Sequence, residues 1–339
     1  MKTSFLPHAG AVVIGRNEGT RLCRSLEALA GRVAEVVYVD SDSTDSSREL
    51  AQRLGATVVH LTEGPYTPSR GRKAGFEALV AKRPDLKYVQ FIDGDCVLDS
   101  QWLSKAGVFL DGNPGVAAVF GRRREERCTE SFYSRLIDLE WDHPAGEAPN
   151  FGGDALVRVS AVRIAGGWSA ETINAEDIDL SFRIREHGGR IVRIAEDMTV
   201  HDVRMSRFSE YWRRSVRAGY GYAEVGLRYW RGPGRMLLRR LFSSIFYSVA
   251  LPVLAVVGAV YFWPLALLVL ILYARVLVVV SRACLKKRAT LETSVAYAVL
   301  NLVCKTGALL GSLQYFADRA SGRKTPRADL VIYRREPPE

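Results

Sequence analysis

Residues Leu241–Trp263 and Pro264–Ser281 form two nearly continuous apolar runs with no charge between them. Each is about long enough to cross a bilayer core, which takes roughly 20 apolar residues in a helix. A chain carrying such a pair is divided. What precedes it folds in water, and the runs themselves must satisfy their backbone groups inside helices. The pair reads as a tight hairpin, 241–281, with both ends on one side of the membrane. Arg275 within the second run is costly in lipid and is expected to face protein, water or a lipid phosphate. A third segment, 294–317, is apolar but interrupted by Lys305. Counted as a crossing, it sends the basic stretch Arg319–Arg335 to the far side, against the positive-inside tendency. A re-entrant or interfacial segment is therefore favoured there over a third span.

The formal charge of +10 gathers where that topology wants it, at Arg204–Arg240, Arg282–Arg288 and Arg319–Arg335. No nucleic-acid recognition motif accompanies it, so nucleic acid is excluded as a partner. Between Arg207 and Trp230, aromatic residues interleave with arginines, a composition suited to a helix in the headgroup region. The five cysteines are odd in number and scattered, so neither a disulfide framework nor a zinc site is indicated, and a reduced compartment fits best. Met1–Gly10 lacks a charged-then-apolar signal, so the soluble part is expected in the cytosol, on the inner face of a cytoplasmic membrane. The expected organisation is a catalytic domain at 1–205, an interfacial region at 206–240, a membrane region at 241–317 and a basic cytosolic tail at 318–339.

The first half alternates short β-branched runs with amphipathic stretches, the pattern of an α/β sheet. Strands are expected at Ala11–Gly15, Ala34–Asp40, Thr57–His60 and Lys87–Asp93. Helices are expected at Thr20–Ala30, Ser43–Leu54, Arg70–Ala81, Ser131–Trp141 and Glu176–His187. Each strand ends in polar residues, and ligands of open α/β sheets sit at those ends. Arg16–Gly19, Asp40–Asp45 and Asp93–Asp95 should therefore meet at one crevice.

Asp93-Gly94-Asp95 sets two carboxylates at the tip of a buried strand, a placement that suits Mg2+ or Mn2+ completing its shell with diphosphate oxygens. Alone, the tripeptide is also an ordinary turn. Asn17 and Glu18 close the first strand; Asp40 and Asp42 close the second with side chains able to bond a base and ribose. Arg70, Arg72 and Lys73 open a helix with cations and backbone amides that can face phosphate. Asp177, in the first turn of its helix beside Glu176, is placed to act as a general base or merely to favour the helix N-terminus. His201 is a candidate further metal ligand or a structural histidine. Trp168 is a candidate stacking face for an acceptor sugar or a core residue.

Together Val13–Glu18, Val39–Asp45, Arg70–Gly75, Asp93–Asp95, Phe151–Arg158 and Ala175–Leu180 resemble, in order and spacing, glycosyltransferase family 2. The resemblance covers the first two thirds of the chain. It implies the GT-A fold, a Rossmann-like mixed sheet, followed here by an interfacial helix and C-terminal membrane helices. It implies a nucleotide-diphosphate sugar as donor and a divalent cation as cofactor, with Asp40 at the nucleobase, Asp93 at the ribose or sugar, Asp95 at the metal and Asp177 as base. The loop Phe151-Gly152-Gly153-Asp154 resembles the family's acceptor side, although members often carry Asn or another small polar residue where Asp154 stands. Processive members carry Gln-x-x-Arg-Trp before their membrane helices, whereas this chain reads Tyr211-Trp212-Arg213-Arg214-Ser215-Val216-Arg217. Single-sugar transfer is thus favoured, with Arg213, Arg214 and Arg217 available to a donor or lipid diphosphate. The membrane segments are similar to those of bacterial exopolysaccharide-assembly enzymes, which implies a polyprenyl-linked glycan or lipid acceptor. The rival readings are a catalytically silent membrane scaffold that binds nucleotide-sugar and, more distantly, a sugar nucleotidyltransferase.

Overall fold

Successive residues of a strand face opposite ways, and in β1 (Leu6–Gly15) Ala9, Ala11 and Val13 enter one buried cluster while Val12 and Ile14 enter another. A strand apolar on both faces belongs in the middle of a covered sheet, and β1 lies there. The computed structural model describes residues 5–323 in two units, the first comprising 5–127 and 141–204, the second 128–140 and 205–323.

In chain order the first unit continues with α1 (Thr20–Leu29), β2 (Val33–Asp40), α2 (Ser47–Arg53), β3 (Thr57–His60), α3 (Pro68–Lys82), β4 (Tyr88–Asp93), β5 (Cys96–Leu98), α4 (Trp102–Gly112) and β6 (Val116–Glu125). After α5 (Phe132–Trp141), which the unit boundary crosses, come β7 (Gly146–Glu147), β8 (Ala155–Arg158), α6 (Val159–Ile164), α7 (Glu176–Glu186) and β9 (Arg190–His201). Among the described residues the strands form one mixed sheet in the order β3-β2-β1-β4-β8-β6-β9-β5, with β7 added to β9. β1 pairs in parallel with β2 and β4, whereas β8 runs antiparallel between β4 and β6. Leu22, Leu26, Trp102 and Leu103 pack on one face, and Phe76, Leu79, Leu180 and Ile184 on the other. The buried amide of Gln90 is satisfied by the indole N–H of Trp102 at 2.8 Å.

The helix expected at Ser43–Leu54 begins only at Ser47. Ser43 and Thr44 are held instead as a loop by Asp40 and Asn17, a local use of short polar side chains that competes with helix. The expected first domain ran unbroken to residue 205, whereas 128–140 groups with the second unit. Glu140 shows why, since its carboxylate accepts from the Tyr211 hydroxyl at 2.7 Å and from Arg214 at 2.5 Å.

The second unit is helical: α8 (Phe208–Arg228), α9 (Arg235–Ile245), α10 (Leu251–Tyr261), α11 (Trp263–Lys286) and α12 (Leu291–Ala320). A wider turn at Phe246–Ala250 carries α9 into α10. Among the described residues, Arg235–Tyr261, Trp263–Lys286 and Leu291–Ala320 are long and apolar enough to cross a membrane by length and composition. The segment expected to be re-entrant or interfacial is a single unbroken helix through Lys305, whose ammonium donates to Ser243 at 2.8 Å. One face of α8, expected as an interfacial helix, is packed within the unit. Val216, Gly219, Tyr220 and Ala223 are buried, and a Cβ added to Gly219 falls 1.8 Å from the Ala308 carbonyl oxygen. One on Gly311 falls 1.8 Å from that of Val216, so small residues let α8 and α12 touch backbone to backbone.

Candidate active site

The parallel register of β1, β2 and β4 brings three loops to one sheet end. The Gly94 amide donates to the Ile14 carbonyl at 2.8 Å and the Ser41 amide to that of Gly15 at 3.0 Å. Asn17 (φ 55), Asp42 (φ 63) and Ala175 (φ 59) are left-handed non-glycine residues, and all three stand in loops expected at the site. Such backbone costs about 1–3 kcal/mol per residue and persists where the surroundings over-determine it. For Asn17 they do, because its side-chain oxygen accepts the Thr44 amide at 2.8 Å and its own amide donates to Ser43 at 2.9 Å. Asp40 is fully buried, accepting from the Tyr38 hydroxyl at 3.1 Å and the Ser43 amide at 2.9 Å. Asp42 accepts the Tyr66 hydroxyl at 3.0 Å, and the Arg16 guanidinium lies 5.0 Å over that ring.

The three cations at the start of α3 do not form one phosphate cradle. Arg70 donates to the carbonyls of Glu63 at 2.8 Å and Pro65 at 2.9 Å, and Lys73 lies on the surface 4.0 Å from Glu77 one turn along. Arg72 alone turns inward. It meets Asp93 at 2.6 Å with one nitrogen and Glu176 with another, and its guanidinium lies 5.3 Å over Trp168. The spread follows from helical geometry, which points successive side chains about 100° apart.

Trp168 is 2% exposed, edge-on to Phe91 at 5.0 Å and Phe151 at 6.4 Å. The stacking face proposed for a sugar is therefore a core ring that floors Arg72. Its loop is held by Arg183, which pairs with Asp179 at 2.7 Å and donates to the Gly167 carbonyl at 2.5 Å. Asp154, expected on the acceptor side, is 1% exposed. It accepts the Asp93 amide at 3.1 Å and the Thr199 hydroxyl at 2.9 Å, and pairs with Arg123 at 3.4 Å, so it buttresses the Asp93 turn. Gly153 admits no side chain, because a Cβ there falls 2.7 Å from an Arg72 nitrogen and 2.9 Å from an Asp93 oxygen.

Asp177 is only partly buried. Desolvation first, then the neighbouring Glu176, pushes its carboxyl up to about 7 against the pull of Arg72. Glu18 is pushed up to about 8 by burial and by Asp95, although Arg21 pairs with it at 2.8 Å.

Asp95 and His201 face each other, Oδ2 to Nε2 at 3.3 Å. Burial opposes charge on both, but their pairing prevails: Asp95 falls below the usual carboxylate range and His201 rises to about 9. A carboxylate oxygen of Asp95, a ring nitrogen of His201 and the Cys96 sulfur lie within 4.8 Å of one another. A carboxylate oxygen and an imidazole nitrogen converging in this way fit a divalent cation of intermediate hardness. Cys96 does not fit as a ligand, since burial keeps it a neutral thiol.

Of the C-terminal arginines, Arg214 is committed to Glu140 at 2.5 Å, and Arg213 donates to the Ser209 carbonyl at 3.2 Å within its own helix. Arg217 lies on the same helix, α8. Sequence reasoning missed Arg123, which lies 3.4 Å from Asp93 and 4.7 Å from the centre of the Trp141 ring, and Glu125, 2.9 Å from His201. Both end β6, an apolar run finishing in charges like the other strands, and that signal was present in Val116–Glu125.

Residues 88–280 match the model of Glycosyl transferase family group 2, and residues 11–164 match that of Glycosyl transferase family 2. Probable glucomannan 4-beta-mannosyltransferase 1 of Arabidopsis thaliana is 30% identical over 213 residues, covering 56% of this chain and 37% of its own length. The chain thus spans little more than a third of such plant relatives, which reach 37% and 35%. Glycosyltransferase AglE of Haloferax volcanii is 23% identical over 262 residues, covering 71% of this chain and 80% of its own. The structure of mannosyltransferase PcManGT from Pyrobaculum calidifontis in complex with GDP-Man and Mn2+ superposes with a TM-score of 0.66 at 19% identity, over 94% of this chain and 89% of that one. That likeness is one of fold, and it agrees with the expected GT-A architecture. With the larger model spanning more than half of its 339 residues, the chain belongs to glycosyl transferase family group 2.

Proposed function

We propose that this chain transfers a single sugar, with inversion, from a nucleotide-diphosphate sugar to a membrane-associated polyprenyl-linked glycan or lipid, its first unit facing the cytosol. The observation that carries the reading is Arg72, which joins Asp93 to Glu176 and so ties the Asp93–Asp95 turn to the helix start bearing Asp177. Asp95 and His201 would hold a divalent cation, which when bound would supply neutralisation of the diphosphate charge. Asp177 takes the acceptor hydroxyl proton as that oxygen bonds to the anomeric carbon and the bond to diphosphate breaks, its electron pair leaving with the diphosphate. A carboxyl held near 7 is poised for this, ionised in part at neutral pH yet basic enough to accept a proton. Arg72 and Arg123 orient Asp93 toward the donor. The three apolar helices support an acceptor at the membrane.

GDP-mannose is the first donor to test, because the plant relatives are named mannosyltransferases and the structural neighbour holds GDP-Man. Membranes containing the protein are incubated with a panel of labelled nucleotide-sugars and extracted polyprenyl phosphates, with and without Mn2+. Mn2+-dependent label in the lipid fraction, lost in Asp177→Asn, supports the reading. Absence of any transfer favours a silent scaffold, and unchanged turnover in Asp177→Asn removes the assigned base.

A further inference from the structure

His201 ends β9, with β6 on one side and β5 on the other. It is in register with Glu125 of β6 and with Cys96 of β5, so Asp95 and Glu125 stand on opposite sides of its ring. Nε2 lies 3.3 Å from Asp95 Oδ2, and Nδ1 lies 2.9 Å from Glu125 Oε2. Glu125 is 3% exposed, and its other oxygen accepts the Val203 amide at 3.0 Å. Trp141 meets the imidazole edge-on at 5.0 Å. The ring is thereby held on three sides by parts of one sheet and its flanking helix end.

A carboxylate only accepts hydrogen bonds, so an imidazole nitrogen facing one carries its proton there. Without a cation both ring nitrogens face carboxylates and both carry protons; with a cation beside Asp95, Nε2 would give up its proton to ligate while Glu125 retains the proton on Nδ1. We propose that Glu125 is a positioning residue for the cation site: it holds His201 as the Nδ1–H tautomer and keeps Nε2 available as a ligand. This rests on the reading of Asp95 and His201 as that site. Glu125 acts through His201 and touches neither cation nor substrate.

Glu125→Gln separates this role from a merely structural one. Gln keeps the size and the oxygen that the Val203 amide needs, but turns an N–H donor toward Nδ1. Nδ1 must then accept, and the proton moves to Nε2, where the cation belongs. A structural Glu125 tolerates that exchange.

Mn2+ is titrated into the purified full-length protein in detergent and free Mn2+ is read by electron paramagnetic resonance, with metal-free melting as the folding control. Glu125→Gln is expected to weaken Mn2+ binding about 10–100-fold with little change in melting, and to add nothing to His201→Ala in the double variant. Unchanged Mn2+ binding in Glu125→Gln, while Asp95→Asn and His201→Ala lose it, overturns the role of Glu125 alone. Failure of the unmodified protein to bind Mn2+ saturably, or full binding by Asp95→Asn, overturns the cation site beneath it. Should Glu125→Gln not fold, 15N-histidine resonances of the Mg2+-saturated protein decide: the His201 signal, identified by its loss in His201→Ala, shows the Nδ1–H form if the inference holds and the Nε2–H form if it does not.

Discussion

Arg72 and Asp93 are joined at 2.6 Å, and the same guanidinium reaches Glu176 beside Asp177. Burial disfavours its charge, but Asp93, Glu176, Asp177 and Asp154 surround it and keep it protonated. A lysine ammonium is a point charge and cannot span two carboxylates in this fork. Arg72→Lys is therefore expected to lower kcat/KM at least about 100-fold, and Arg72→Ala to cost about 2–3 kcal/mol of stability by leaving the half-buried carboxylates of Asp93 and Glu176 without their cation. Transfer rates and thermal melting check the two effects separately.

Asp177 must be ionised to take a proton. With its carboxyl raised to about 7, kcat/KM is expected to climb with pH and level off above that value. Asp177→Asn should cut turnover by roughly 100–10,000-fold and flatten what rate remains across pH 6–8. A wild-type profile already flat from pH 5 contradicts the assignment.

The same residue makes a stability statement. Its folded pKa lies above the unfolded value, so the protonated form favours folding at low pH, and that contribution is lost as pH rises through about 7. Asp177→Asn, which stays neutral, should melt higher than the parent at pH 8, by on the order of 1–2 kcal/mol once partial exposure is discounted, and alike at pH 4. Melting curves at the two pH values test the sign.

Gly153 and Gly152 are neighbours with opposite surroundings. A Cβ on Gly153 strikes Arg72 and Asp93, whereas one on Gly152 meets nothing within 4 Å. Gly153→Ala should destabilise by about 1–3 kcal/mol and displace the Arg72–Asp93 pair, while Gly152→Ala leaves melting and transfer near wild type.

In the second unit, Gly219→Val and Gly311→Val are each expected to part α8 from α12, at more than about 3 kcal/mol, because carbonyl oxygens and not flexible side chains stand in the way. Gly232→Ala, where an added Cβ lies 3.9 Å from the Tyr229 carbonyl oxygen, is the control. Monodispersity in detergent and melting temperature report the difference.

Strands β2, β3 and β4 were legible to within a residue, and β1 at its C-terminal end, because short β-branched runs ending in polar residues have few other uses; β1 starts at Leu6, five residues before the expected Ala11. So were the Asp93–Asp95 turn and the α7 start. The antiparallel insertion of β8 between β4 and β6 was not, since Ala155–Arg158 is too short to declare its partners. Arg70, Arg72 and Lys73 looked equivalent in a row, yet only the helix's rotational phase against the sheet sends Arg72 inward. The close approach of α8 and α12 through Gly219 and Gly311 was not legible either, since a glycine in an apolar run does not declare which backbone lies against it.

The sequence by itself determined which residue types stand at the strand tips, where the apolar helices run and hence the family resemblance, because these depend on local periodicity and spacing. Tertiary structure alone decided which of those side chains meet. Asp154 became a buttress, Trp168 a floor and Glu125 the partner of His201 across 76 positions of chain, since the packing of strands and helices brings distant residues together and no local pattern encodes those pairings.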